Sequence, residues 1–205
     1  MQPDVPGTAS SLTVVVAIFA ARVWTLDSSF VDTLRRRFPS VTFIEARTHE
    51  ALEAALPLAD IAFSSVVRER HFAHAHKLRW IHSSAAGVGA LLFPSLVESG
   101  VVVTNSRGVQ SSSIAEHILA AVFAWRRGLH TAMRRQVRRE WAQDELSAVR
   151  PARLADTRAL VVGMGSIGRQ AAAMLDALGL PVTGVGRRAR EGQAGIDSLP
   201  ALLPS

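Results

Sequence analysis

Between Leu12 and Ser106, five short apolar runs, LTVVVAI, VTFIEA, DIAFSS, RWIHSS and VVVTNS, alternate with mixed polar and apolar segments. Rich in Val, Ile and Phe and bounded by polar residues, they predict strands, and a near-continuous apolar run is what burial on both faces of a parallel sheet requires. Their spacing of roughly 20 to 30 residues leaves room for one crossover helix each, which predicts a doubly wound α/β unit. SSFVDTLRRRF, with serines at its start and Pro39 after it, fits one of those helices.

After Ser106 the pattern changes. SSSIAEHILAAVFAWRRGL places Ser113 and Glu116 at capping-box spacing and repeats apolar residues at Ile114, Ile118, Val122 and Trp125, one face of a long helix. An arginine-rich stretch follows, residues 126 to 140, in which Arg127, Arg134 and Arg138 are expected to share a helical face. Trp141 and a polar connection through Pro151 lead to a further strand, RALVVGMG. The organisation expected is a loose amino terminus (1–11), a first unit (12–106), and a second unit (107–205) that opens with a crossover helix and arm (111–150).

The strand ALVV runs into VVGMGSIGR, then the apolar helix IGRQAAAMLDALG, then another strand, PVTGVG. In that context the glycines have separate tasks: Gly163 turns the strand tightly, Gly165 lets backbone approach a pyrophosphate, and Gly168 lets the helix pack close to the sheet. Unpaired amides around Ser166 and Ile167, aided by the helix dipole, favour an anion. A purely structural strand, turn and helix is the competing reading. Ser166 is not a hydrolase nucleophile, since the elbow motif needs glycine at position 164, which is methionine. At the end of the next strand an NAD site presents an acid to the ribose hydroxyls. Gly186 stands there instead, with Arg187 and Arg188 behind it, which favours NADP over NAD; the alternative is exposed arginines in an arginine-rich chain.

Composition narrows the classes. The 205 residues are 48% hydrophobic, enough for a sizeable core. The run LTVVVAIFAA is broken by Arg22 before it reaches membrane-spanning length, and MQPDVPGTASS has the wrong polarity for a secretory signal. The absence of cysteine excludes disulfides and thiolate chemistry, so a cytoplasmic setting is expected. The formal charge of +6 comes almost wholly from arginine, with Lys77 the single lysine. No aromatic platform accompanies it, so a solvated helix or subunit arm is favoured over a nucleic-acid patch. His71, His74 and His76 in HFAHAHK read as a polar helix face rather than a metal site. His82 and His117 lack the nucleophile turn that a catalytic triad needs.

LRWIHSSAAGVGALL, GVVVTNSRGVQSSSIAEHILAAVFA and ALVVGMGSIGRQAAAMLDALGLPVTGVGRR, in this order, resemble the D-isomer-specific 2-hydroxyacid dehydrogenases across most of residues 12–205. The resemblance implies a flavodoxin-like substrate domain, present in its amino-terminal part, followed by an incomplete Rossmann NAD(P)-binding domain. It implies hydride transfer between NAD(P)H and a small 2-oxo or 2-hydroxy acid in a homodimer, with neither nucleic acid nor membrane as partner. Ala86 and Gly87 fall where family backbone amides hold the substrate carboxylate. Ser166 and Ile167 match the pyrophosphate-contacting pair, and Arg187 and Arg188 the ribose position. The family's catalytic arginine, glutamate and histidine follow later strands. DSLPALLPS looks like the segment before the third strand, so no catalytic residue is assigned here. Arg107 imitates the arginine motif, but the AEH that follows places it at the crossover. The dimer surface is expected on the long helix (Ile118, Val122, Trp125) and the arm to Trp141. The 205 residues alone are expected to be inactive, with a bare edge on ALVV and little cofactor affinity. Alternatives are a dinucleotide-binding or protein-interaction module without chemistry, and a basic nucleic-acid binder.

Overall fold

The structure, a computed structural model, describes residues 11–19, 26–148, 153 and 156–203. The expected loose terminus lies outside these apart from Ser11, as do parts of the connection around Pro151. The chain divides into two compact units, Met1–Arg107 and Gly108–Ser205.

In the first unit all five predicted strands form: β1 (Thr13–Ala17), β2 (Thr42–Glu45), β3 (Ile61–Ser64), β4 (Trp80–Ser83) and β5 (Val102–Asn105). They pair in parallel in the order β2-β1-β3-β4-β5, so β1 is flanked by β2 and β3. Val15 and Val16 are buried there because both faces of a parallel sheet are covered. The first crossover is helix α1 (Ser28–Arg37), opened by Asp27, whose carboxylate accepts from the Ser29 amide at 2.8 Å. It closes on three arginines, which suit the negative end of the helix dipole. Helix α2 (His49–Ala55) is capped by Thr48 and buries Leu52 and Ala55. Leu52, Leu56, Ile81, Leu91 and the β1 valines carry the core.

The last two crossovers differ from the expectation of one full helix each. They contain only single turns, α3 (Glu69–Phe72) and α4 (Pro94–Val97). HFAHAHK is therefore not a helix face. His71 is fully buried, its ring stacked on His49 at 5.2 Å and 8°, while His74 lies 3.7 Å from Glu53. The His71 Nδ1 accepts the Arg68 amide at 3.0 Å and so closes the start of α3, a task that draws the imidazole inward.

The second unit opens with α5 (Ser111–Arg126). Here the capping-box expectation fails: the helix starts two residues before Ser113, with Gln110 at its cap and the Ile114 amide already bonded to the Gln110 carbonyl. Gly108, at φ 93°, turns the chain into the helix instead. Glu116 accepts from the Ser112 hydroxyl. Gly128, at φ 64°, then breaks the helix, and α6 (Leu129–Val137) and α7 (Gln143–Ala148) follow. Arg127 ends one helix, Arg134 lies in the next and Arg138 caps it, so the three arginines do not share one continuous helical face.

Strand β6 (Ala159–Val162), helix α8 (Ser166–Ala177) and strand β7 (Val182–Gly186) form where predicted. A third strand, β8 (Gln193–Gly195), precedes DSLPALLPS rather than following it. The sheet order is β6-β7-β8, all parallel, and α9 (Leu199–Leu202) comes after it. Sequence periodicity could not find β8. QAG has no apolar alternation and is a strand because β7 offers it a backbone edge.

Candidate functional site: a nucleotide turn and an anion loop

The glycine turn has the geometry its spacing predicts. Gly163 sits at φ 102°, a conformation that side chains rarely adopt, and its amide donates to the Val185 carbonyl at 2.8 Å. A Cβ on Gly168 would lie 1.9 Å from the Gly163 carbonyl oxygen, so only glycine lets α8 come this close to the strand. Gly165 is the cap of α8 and offers no side chain. A Cβ there would meet nothing within 4 Å, which leaves open space above the helix start.

The amides of Ser166 and Ile167 lie in the first turn of α8, where no preceding turn supplies carbonyls, and they point at that space with the positive end of the dipole. Arg169 was missed by the sequence reading. Its guanidinium donates to the Met164 carbonyl at 2.7 Å and fixes the turn from the helix side.

The carboxyl end of β7 faces the same region of the sheet as the turn: a Cβ on Gly184 would be 2.8 Å from the Met164 sulfur. Gly186 ends the strand, and Arg187 and Arg188 beyond it are exposed. Among the described residues neither arginine has an ion-pair partner. An open cradle over a helix start, with arginines at the end of the next strand, fits a dinucleotide phosphate set.

In the first unit, parallel register brings the carboxyl ends of the strands together, with Ala17 beside Ser64 and Ser83 beside Asn105. Doubly wound sheets bind ligands at this end. Ala86 and Gly87 lie in the exposed loop after β4. Their amides donate to no acceptor among the described residues, whereas the Ala85 amide is taken by the Ser83 hydroxyl at 3.2 Å.

Asn105 holds the loop. Its side-chain amide donates to the Ala86 carbonyl at 2.6 Å, which orients the peptide that carries the Gly87 N–H. A chain of hydrogen bonds secures β5 in turn. The Trp80 indole donates to Thr104 Oγ1 at 2.8 Å, and Thr104 lies 2.8 Å from His82 Nδ1. Ser106 Oγ lies 3.3 Å from His82 Nε2 and donates to the Ser83 carbonyl. The TN pair was visible in the sequence, but not this clamp, which joins residues 19 positions apart.

Two parallel sheets, one carrying a glycine turn on a helix start and the other an exposed loop with two unengaged amides, define an α/β protein of the doubly wound class. Residues 119–204 match the family model described as D-isomer specific 2-hydroxyacid dehydrogenase, NAD binding domain. A putative 2-hydroxyacid dehydrogenase of Haemophilus influenzae is 25% identical over 109 residues, 52% of this chain and 35% of that protein.

A crystal structure of a D-isomer specific 2-hydroxyacid dehydrogenase family protein from Aeromonas salmonicida superposes with a TM-score of 0.76 at 24% identity, covering 94% of this chain and 61% of that one. One from Xanthobacter autotrophicus Py2, in complex with NADPH and MES, gives a TM-score of 0.68 at 25% identity over 93% of this chain and 59% of that one. The chain is similar to the D-isomer specific 2-hydroxyacid dehydrogenases, and the match to their NAD binding domain lies within its second unit. It spans about a third of the curated relative and about three fifths of the two solved chains.

Proposed function

We propose that this chain supplies the dinucleotide turn and the substrate-carboxylate loop of an oxidoreductase acting on a small 2-oxo or 2-hydroxy acid, with NADP preferred to NAD. The observation that carries it is the contact of Gly168 with Gly163 beneath an open helix start, inside the segment that matches the NAD-binding family. When bound, the nicotinamide supplies or accepts a hydride at C2 of the acid.

The chain's own groups hold and orient. The Ser166 and Ile167 amides receive the pyrophosphate, Arg187 and Arg188 a ribose 2′-phosphate, and the Ala86 and Gly87 amides the substrate carboxylate. Residues 84–89 and 163–169 include neither histidine nor carboxylate, so neither loop provides a general acid. Residues 1–205 alone are proposed to bind the dinucleotide weakly, since β6 is paired on one side only among the described residues, and not to turn substrate over. Titration with NADPH and NADH, followed by amide NMR, tests the assignment. Shifts confined to Ser166, Ile167 and the end of β7, larger with NADPH, are expected; unperturbed amides in that region would sink it.

A second reading, a binding module without chemistry that docks another polypeptide, is favoured by one feature. Among the described residues β6 is an edge strand, and beside it runs a groove of about 610 Å³ lined by Ile118, Val122, Leu160, Val161, Ala171 and Leu175. Hydride transfer by a chain extended beyond residue 205 would exclude it.

We also propose a homodimer through the long helix and the arm to Trp141. Ile118 and Val122 line the β6 groove of their own unit. Exposed apolar side chains there are Trp125 on α5, Leu129, Met133 and Val137 on α6, and Trp141 after it; Val137 is 86% and Trp141 90% exposed. They continue along the arm that the sequence nominated.

A further inference from the structure

Gly186 removes the carboxylate expected at the end of the second nucleotide strand, yet its place is not left empty. A Cβ on Gly186 would lie 1.8 Å from Nε2 of Gln193 and 2.6 Å from its Cδ. The carboxamide of Gln193, on β8, thus lies where an acidic side chain growing from position 186 would begin. Its orientation is fixed by chemistry. The nitrogen is 3.0 Å from the Arg188 carbonyl, which can only accept, so the NH₂ group donates there.

The same residue closes the loop through its backbone, exchanging both hydrogen bonds with Arg190 at 2.9 and 3.0 Å. Gly192, at φ 70°, permits that turn, and a Cβ on Gly195 would be 3.2 Å from the Ala189 amide. The segment bearing Arg187, Arg188 and Arg190 is therefore folded back against β8 and tied to Gln193 at three hydrogen bonds.

We infer that Gln193 is the residue that sets the choice between a ribose 2′-hydroxyl and a 2′-phosphate in this chain; this rests on the dinucleotide reading above. Two effects act together. A neutral carboxamide in the acid's place does not repel a phosphate dianion, and its bond to the Arg188 carbonyl holds the arginine loop where the guanidiniums can reach one.

Gln193 acts through the arginines and is a positioning residue. Changing Gln193 to Glu replaces one NH₂ by an oxygen. It puts a negative charge opposite Gly186 and abolishes the donor to Arg188 at once, with almost no change in volume. An aspartate side chain at position 186 would meet the flexible end of Gln193 and push it aside.

The test uses the 205-residue chain and two half-cofactor probes, 2′,5′-ADP and 5′-AMP, titrated to millimolar concentration by NMR. The unaltered chain is expected to bind 2′,5′-ADP at least tenfold tighter than 5′-AMP. Q193E should bring that ratio to one or below. Q193M, similar in length but without a donor, should weaken 2′,5′-ADP several-fold and leave 5′-AMP unchanged. If the unaltered chain binds neither probe, the dinucleotide reading itself is overturned. If it binds both and Q193E keeps the original ratio, or Q193M loses both probes equally, the role given to Gln193 is wrong and the dinucleotide reading stands.

Discussion

Gly168 meets Gly163 so closely that a methyl group on its α-carbon would lie 1.9 Å from the carbonyl oxygen and 3.4 Å from a Val161 methyl. The oxygen cannot step aside, because Gly163 is held at φ 102° and its amide is bonded to Val185. Gly168→Ala is therefore expected to destabilise the second unit by about 1–3 kcal/mol, the range for overpacking. Gly165→Ala meets nothing within 4 Å. It should leave stability within about 0.5 kcal/mol while weakening nucleotide binding, because the added methyl enters the cradle. Urea titration of both variants, with the second unit's amide signals as the probe, distinguishes the two glycines; equal losses of stability would contradict this division of labour.

His71 predicts a pH dependence of the first unit. Burial pushes its imidazole below the usual value of 6.5, aided by the Arg70 guanidinium and His49. The folded state thus holds His71 neutral, while the unfolded chain takes up the proton near 6.5, so stability present above that pH is lost as the pH falls below it. His71→Asn keeps an acceptor for the Arg68 amide and removes the titration. Urea midpoints of the first unit should fall between pH 7.5 and 5.5 in the unaltered chain and fall less in the variant. Parallel declines in both would rule out His71 as the cause.

The edge position of β6 predicts uneven protection. Among the described residues β1 is paired on both sides, β6 only by β7. Amide exchange at Leu160 and Val161 should be faster than at Val15 and Val16 by orders of magnitude, and light scattering should report slow self-association through the open edge. Val162, 57% exposed on that strand, offers the control: Val162→Lys should suppress the scattering without unfolding β7. Equal protection of the two strands would be inconsistent with the edge.

The arm predicts an oligomeric state. Met133 and Val137 are 67% and 86% exposed on the outer stripe of α6. Met133→Lys combined with Val137→Lys should convert a micromolar dimer to a monomer in sedimentation velocity and leave the first unit's stability unchanged. A monomer in the unaltered chain would remove the basis for the dimer.

The strands of the first unit could be read from the chain alone because Val14–Val16, Ile44, Ile81 and Val103 form short apolar runs, and such runs need two covered faces wherever they occur. Gly163, Gly165 and Gly168 were equally legible, since their tasks depend on backbone conformation within six residues. The helix start at Ser111 was not. Capping-box spacing is a local pattern, and the turn at Gly108 won because it delivers the chain from the end of β5.

The sequence by itself determined the parallel α/β class, the glycine turn from strand to helix, and the presence of Gly186 and two arginines at the end of the next strand. Periodicity and glycine placement act through bonds and dihedrals a few residues apart. Tertiary structure alone decided that His71 is buried against His49, that QAG is a strand, that Asn105 clamps Ala86, and that Gln193 fills the space over Gly186. His71 and His49 are 22 positions apart, Asn105 and Ala86 19, and Gln193 and Gly186 seven. Whether such pairs meet depends on how sheets and loops stack, because a side-chain contact acts over a few ångströms and carries no signature in the spacing of the residues that make it.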